Sequence, residues 1–343
     1  MVWRAVFGVF VIVGVAFAAF FVWAWHGEIP AAPRHDAATL DPGIVAKGAQ
    51  LAAIGSCNVC HTKPGGRPFA GGYPVETPFG TIYGTNITPD RETGIGDWSS
   101  AAFRRAMREG VDRQGHHLYP AFPYDHFTHA SDGDIDAVYA FLMSREPVSA
   151  ANRTPDIVFP LNVRLFAAAW KLFFLRDERY RPDPAKSPDW NRGAYLTASF
   201  GHCGACHTPR NLLGAEKAKD AFDGGEGEDW IAPALNDKSP APAPWTKGAV
   251  FNYLRRGWDK HHGHAAGPMA PVVHNMATAP QGDVAAIATY VASLSGPETD
   301  ADRAAKIEKA VATAKSRTAA IHGLPPSGQT TGSAPPETGE GAA

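Results

Sequence analysis

Two things are scarce in this sequence, surplus charge and cysteine, and each scarcity narrows what the chain can be. The formal net charge is only −2 and no long Lys/Arg run occurs. There is no electrostatic footprint for nucleic acid, and that partner class is excluded. Only four of 343 residues are cysteine, and none is left over once two short motifs have been counted. What the chain does have is apolar material: a hydrophobic fraction of 44% supports real cores in a length that suits two ordinary domains, and it excludes a disordered protein.

Charge is absent altogether from Ala5 to Trp25, "AVFGVFVIVGVAFAAFFVWAW". As a helix this run spans about 31 Å at ~1.5 Å per residue, which matches a bilayer core. The competing reading is a secretory signal with "AFA" at 16–18 as its cleavage site. A signal's apolar region is roughly 7 to 15 residues, however, and here hydrophobicity continues past that point, so the expectation is an uncleaved anchor over residues 1–30. Arg4 on the short side keeps the N-terminus in the cytoplasm, and Trp23 and Trp25 suit the far interface. Everything beyond residue 30 is then expected on the outer face of a bacterial inner membrane, in the periplasm, behind a single span.

All four cysteines lie in "CNVCH" at 57–61 and "CGACH" at 203–207. The chain's own Cys and His frequencies give about 0.002 chance occurrences of this pattern, so two copies that consume every cysteine form a strong signal. Two thiols one helical turn apart add to the two vinyl groups of one haem, and the adjacent His lies under the iron as its proximal ligand. Structural disulfides would not require a His after each second Cys. A zinc site would want its ligand pairs close together, whereas these are separated by roughly 140 residues and each brings its own His. A thioredoxin-like motif would occur once, beside a strand-helix pattern not found here. Two covalently bound c-type haems are expected, held by Cys57, Cys60, Cys203 and Cys206, with His61 and His207 as proximal ligands.

The chain also repeats. Cys57 and Cys203 are 146 residues apart, and Trp98 and Trp245, Gly110 and Gly257, and Phe122 and Met269 are each 147 apart. Between the Trp and Gly of each copy lies a segment with apolar residues at helical spacing, "WSSAAFRRAMREG" and "WTKGAVFNYLRRG", stopped by the Gly. Another follows each ligand loop, "SDGDIDAVYAFLMS", capped by Ser131 or Asp132, and "APQGDVAAIATYVASL". A helix also leads into each motif, from Asp41 and from Asp189. The expectation is an all-α protein: two tandem cytochrome c domains, 36–150 and 189–297, behind the N-terminal transmembrane helix. The connector 151–188 contains "FPLNVRLFAAAWKLFFLRD", apolar at mixed helical spacing, which could pack across both domains or serve as a partly buried linker. Residues 298–343 read as a charged, Ala-rich helix and then a tail of disordered composition.

An electron-carrying c-type haem with a proximal His takes Met on its other face, because the thioether stabilises ferrous iron. Met269, 62 residues beyond His207 and before the last helix, fits that role, with Met276 as its competitor.

The stretches "CHTKPGGRPFAGGYPVETPFGTIYGTNITPDRETGIGDWS" and "NRGAYLTASFGHCGACHTPRNLLGAE" resemble the membrane-anchored multi-haem cytochrome c subunits of bacterial periplasmic dehydrogenases. These serve alcohol, gluconate and molybdenum-containing aldehyde or N-heterocycle oxidising enzymes. The resemblance covers roughly residues 35–297. It implies that electrons arrive from a dehydrogenase subunit and leave toward quinone, a cytochrome or an oxidase of the respiratory chain, with no catalytic activity in this chain itself. Residue by residue, it gives Cys57, Cys60 and His61 to the first haem, and Cys203, Cys206, His207 and Met269 to the second.

Two departures from the family pattern matter. Many such subunits carry a third C-x-x-C-H, and none follows Met276 here. In addition "PAFPY" places Phe122 where relatives with "PAMPY" have the ligand Met, and a phenyl ring cannot coordinate iron. His126, four residues on, is the expected replacement, with His117 and then His116 as alternatives. His/His ligation would put the first haem's potential below that of the second. Phe122 also keeps alive a di-haem peroxidase, with an open first iron and His126 or His117 acting on peroxide; a third possibility is the cytochrome c subunit of a terminal oxidase. "TNITPD" at 85–90 could bond haem propionates, Pro64 or Pro209 could offer a carbonyl to a proximal His, and "RRGWDKHHGH" at 255–264 could form a docking patch or a solvated loop.

Overall fold

The apolar N-terminal run folds as one helix, α1 (Val2–Ala24), and no residue of its hydrophobic window is buried. Its 23 residues extend about 34 Å at ~1.5 Å per residue, enough by length and composition to cross a bilayer core of ~30 Å. The computed structural model describes residues 2–33, 37–241, 243–296 and 299–321.

Beyond α1 the chain is mostly helical, and its helices come in two matching sets. The first comprises α2 (Pro42–Ile54), α3 (Cys57–Cys60), α4 (Ser100–Glu109), α5 (Tyr124–Phe127) and α6 (Asp132–Met143). A connector helix, α7 (Leu165–Phe174), separates it from α8 (Pro188–Ala198), α9 (Gly204–His207), α10 (Lys247–Arg256), α11 (Met269–Met276) and α12 (Gln281–Ser293). Helix α13 (Asp300–Ile321) closes the described chain. Its Arg303 donates to the carbonyls of Trp245 and Gly296 and so ties it to the second set. The expected tail beyond that helix lies outside the described residues.

Local chemistry explains why the sets match. Asp41 and Ser187 each stand before a proline, and each side chain caps the third residue of its helix, Ile44 or Trp190. Proline at the first helical position has no N–H to leave unpaired and already holds the helical φ. Ser99 and Thr246 cap α4 and α10 through Ala102 and Ala249, and Gly110 and Gly257 end those helices with φ of 59° and 73°. A left-handed C-cap of this kind favours glycine. Ser131, not Asp132, caps α6.

Helix α2 crosses α6, and α8 crosses α12, at one close point each. A Cβ at Gly48 would overlap the carbonyl oxygen of Ala137, and one at Gly193 would overlap that of Ala286. Beside each crossing a basic residue meets an acid: Lys47 with Asp134 at 2.5 Å, and Arg192 with Asp283 at 2.8 Å. Around both crossings runs one continuous apolar core, from Leu51, Ile135 and Leu142 through Phe127 and Phe200 to Leu196, Ile287 and Val291.

The all-α expectation needs one correction. Strands β1 (Pro74–Thr77) and β2 (Gly80–Tyr83) form an antiparallel hairpin that β3 (Asp156–Ile157) extends; β4 (Gly225–Gly227) pairs with β5 (Trp230–Ala232), and β6 (Trp258–Asp259) with β7 (Gly263–His264). These segments are two to four residues long, too short to build a period-2 pattern that stands out from a glycine- and proline-rich loop. Helix α7 touches both sets, Lys171 bonding the carbonyls of Glu109 and Gly110 and Trp170 that of Leu213, while its Phe166, Leu172 and Phe173 are exposed.

Candidate haem-attachment sites

Each C-x-x-C-H motif begins with a reversal of backbone hand. Helix α2 ends at Ile54 and α8 at Ala198, and Ser56 with φ 49° and His202 with φ 33° then turn the chain into a separate single turn. On that turn the two cysteines are three residues apart and therefore share a face. All four are free thiols. Burial pushes Cys57 and Cys203 up to about 12, which keeps them neutral and removes the thiolate that a redox or nucleophilic cysteine needs.

The two histidines are held in the same way. His61 donates from Nδ1 to the carbonyl of Thr85 at 2.6 Å, and His207 donates from Nδ1 to the carbonyl of Pro233 at 2.7 Å. Their own carbonyls accept from the amides of Gly71 and Gly224. A carbonyl only accepts, so Nδ1 must carry the proton and Nε2 keeps its lone pair. Burial lowers both pKa values against these hydrogen bonds and keeps the rings neutral. A neutral imidazole fixed at Nδ1 with Nε2 available is what axial ligation of an iron requires. The carbonyls are not those of Pro64 or Pro209: they come from 24 and 26 residues beyond each His, across the loop that wraps the motif.

Of the two methionines considered as distal ligand, Met269 opens α11, half-buried against the core, whereas Met276 is 2% exposed and packed within it. Phe122 occupies the corresponding position of the first set, half-buried, its ring 5.4 Å from Phe127 and 6.4 Å from Tyr124. His126 has both ring nitrogens engaged by the second set. Its Nδ1 bonds the carbonyl of Ala198 at 3.0 Å, its Nε2 bonds Glu216 at 2.7 Å, and its ring lies against Gly204 of the second motif. His117 is equally committed: Nε2 donates to the carbonyl of Ala24 at 2.8 Å and Nδ1 accepts from Lys171 at 2.9 Å. His116 faces solvent and meets Asp112 at 3.1 Å. Sequence proximity to Phe122 suggested these histidines, but α5 is a single turn. Its Tyr124 and Phe127 point into the core, and the intervening Asp125 and His126 face the second set.

The seam between the sets is reciprocal. Asn58, between the cysteines of the first motif, exchanges amide hydrogen bonds of 2.9 and 3.4 Å with Asn275 of α11. His202 reaches the carbonyl of Gly55 at 3.3 Å, and Tyr73 donates to Glu228 at 3.3 Å. Burial raises the pKa of both Cys60 and Cys206, and the carboxylate of Glu228 raises each further. Nothing in the sequence pairs Asn58 with Asn275, which are 217 residues apart.

The His126–Glu216 contact has a consequence for pH. Burial alone would lower His126, but the hydrogen bond and charge of Glu216 outweigh it and the pKa is raised; His126 in turn holds Glu216 low against its own burial. The contribution is complete between the ordinary values of 4.5 for Glu and 6.5 for His. It is lost as pH rises through the raised value of His126, and also as pH falls through the lowered value of Glu216. Glu216→Gln is expected to flatten the decline in stability above about pH 6.5, measured by thermal unfolding across about pH 5 to 9.

In two other segments one side chain is committed within the fold. Asn86 of "TNITPD" is 2% exposed and spends its amide on Thr93, Val148 and Ala150 and its oxygen on Thr88, leaving nothing for a propionate. In "RRGWDKHHGH" His262 is buried between Asp259 and the carbonyl of Ala243, stacked 3.6 Å from the ring of Trp245.

No family model matches the chain. It is 50% identical over 273 residues to a nicotinate dehydrogenase subunit of Pseudomonas putida, a match that covers 79% of this chain and 23% of that protein. It is 40% identical over 262 residues to the gluconate 2-dehydrogenase cytochrome c subunit of Pantoea cypripedii, covering 73% of this chain and 59% of the relative. The chain thus spans a quarter or less of the first relative and under two thirds of the second. With a diheme c-type cytochrome of Cereibacter sphaeroides it shares 34% identity over 254 residues, covering 73% of this chain and 85% of that one. Since the cytochrome is matched over most of its length, the chain belongs to the c-type cytochrome family that includes this diheme protein and the cytochrome subunits of dehydrogenases.

Proposed function

We propose that this chain is a di-haem electron-transfer subunit made of two tandem cytochrome c domains, over 36–150 and 189–297, anchored by residues 1–30 in the bacterial inner membrane with its haem domains in the periplasm. Cys57, Cys60 and His61 would hold the first haem; Cys203, Cys206 and His207 would hold the second, with Met269 on its distal face. The carrying observation is the pair of neutral histidines, each following two free thiols, each fixed through Nδ1 by a carbonyl, each with Nε2 available.

Haem supplies a reversible one-electron couple, and the protein's part is to hold, orient and shield it. The free thiols are placed on one face of a turn for thioether bonds. The Thr85 and Pro233 carbonyls fix the plane of each imidazole and increase its basicity. The apolar core that joins the two sets would shield bound haem from water and raise the cost of a buried charge. The Asn58–Asn275 and His202–Gly55 hydrogen bonds join the two motifs across the seam, so haems held by these residues would lie in one continuous body for electron exchange. By its kinship with dehydrogenase subunits, the donor is a dehydrogenase, and the acceptor is a quinone, cytochrome or oxidase of the respiratory chain.

The test is a count of haem per chain. Pyridine haemochrome analysis of the intact protein should give two covalent haems, Cys203→Ala with Cys206→Ala should give one, and the same change at Cys57 and Cys60 should remove the other. One haem in the intact protein would overturn the di-haem reading.

A further inference from the structure

Helix α7 has an unusual distribution of side chains for a helix outside a membrane span. Its buried face is narrow: Ala167, Ala168 and Lys171. Its other face exposes Phe166, Leu172 and Phe173, the last at 65%. Phe159 just before it is 81% exposed. Trp170 donates to the carbonyl of Leu213 at 2.9 Å and so joins to α7 a loop whose Leu212 is 97% exposed and Leu213 largely so. Six large apolar side chains are thus exposed on α7, just ahead of it and on the loop that Trp170 holds, and a concentration of this kind marks an interaction site.

The position of α7 says which. Lys171, on its buried face, donates to the carbonyls of Glu109 and Gly110 at 2.6 Å each and to His117 at 2.9 Å. The other nitrogen of His117 donates to the carbonyl of Ala24, the last residue of α1. Arg164, at the start of α7, donates to the carbonyl of His117. One buried hydrogen-bonded chain therefore connects the apolar helix α7 to the point where α1 ends. Trp23 and Trp25 are exposed at that point, as residues at a membrane interface would be.

We infer that α7, with Phe159 and the Leu212–Leu213 loop, lies in the surface of the lipid bilayer beside the anchor. The inference rests on the reading of α1 as a membrane span. At 10 residues α7 is about 15 Å long, half of a ~30 Å bilayer core, so it lies on the membrane and does not cross it. Arg176, exposed just past its C-terminal end, offers positive charge suited to anionic headgroups, while Arg164 is turned inward to the His117 carbonyl and the ring of Tyr119. The contact would fix the orientation of the two motifs relative to the membrane plane, which a single flexible anchor leaves free.

The test uses the full-length holoprotein in nanodiscs of phosphatidylcholine with phosphatidylglycerol. A nitroxide is placed at Phe173→Cys in one sample and at Phe21→Cys, within α1, in another, and collisions with oxygen and with a water-soluble nickel chelate are compared. The expected result is that both labels meet oxygen several-fold more readily than nickel. A lipid-exposed label at 21 with a nickel-accessible label at 173 would overturn the inference and leave the anchor standing. A label at 173 shielded from both reagents would also overturn it, in favour of a second copy or a protein partner. A nickel-accessible label at 21 would overturn the anchor reading and this inference with it.

Discussion

Gly48→Ala is expected to cost the first haem its site, and Gly193→Ala the second. In an exposed helix either change would stabilise the protein by up to ~1 kcal/mol, because alanine is the better helix former. Here the sign reverses. The new methyl groups would overlap the carbonyl oxygens of Ala137 and Ala286 and would press on the Cβ atoms of Phe141 and Tyr290 at 2.8 and 2.9 Å. A backbone carbonyl in a packed helix cannot rotate away, so the helices must separate. Overpacking of this kind costs about 1–3 kcal/mol and sometimes more, a large part of the ~5–15 kcal/mol that holds a domain together. Gly133 and Gly282, in the first turns of the partner helices α6 and α12, have open space around a Cβ and serve as controls. Gly133→Ala and Gly282→Ala should be neutral or stabilise by a few tenths of a kcal/mol to ~1 kcal/mol. Thermal unfolding followed at the Soret band, with the haem content of each variant, separates these outcomes. Equal losses for all four variants would show that the crossings are not the constraint.

The crossings were half legible. The repeat placed a helix before each motif and another at the end of each unit, because caps, glycine stops and apolar spacing are local signals. That Gly48 and Gly193 are contact points was not legible, since a glycine within a helical pattern looks the same whether a neighbour lies against it or water does. The attachment motifs stood out because their chemistry is contained in five consecutive residues. The groups that orient them did not: Thr85 and Pro233 act through backbone carbonyls, which any residue possesses. His126 shows the same limit. Its place four residues after Phe122 fixes its distance along the chain, but the single turn of α5 decides which way it points, and it points to Ala198 and Glu216. In α7 the mixed spacing of apolar residues was visible and its meaning was not, because spacing alone does not distinguish a face packed on protein from one left open.

Met269→Ala should lower the midpoint potential of one haem and leave the other where it was. Met269 begins α11 half-buried, in the position that the first set fills with Phe122, so the assignment gives a thioether to the second iron alone. A thioether favours ferrous iron and raises the potential. Its loss is expected to move that haem down by on the order of 0.1 V or more, within the ~0.8 V that axial ligands span. The converse is Phe122→Met. Phe122 packs against Phe127 and Tyr124, and a flexible methionine fills a site of that shape at a cost of about 1.5 kcal/mol or less. Because His126 and His117 have both ring nitrogens engaged, a new thioether would meet no histidine competing for the first iron, and its potential should rise toward that of the second. His126→Ala should leave the magnetic circular dichroism of both haems unchanged while weakening the seam at Glu216. Redox titration of the three variants decides the matter. If Met269→Ala leaves both midpoints fixed, the distal ligand is another residue; if His126→Ala alters the first haem, that histidine turns from Glu216 to the iron when haem is bound.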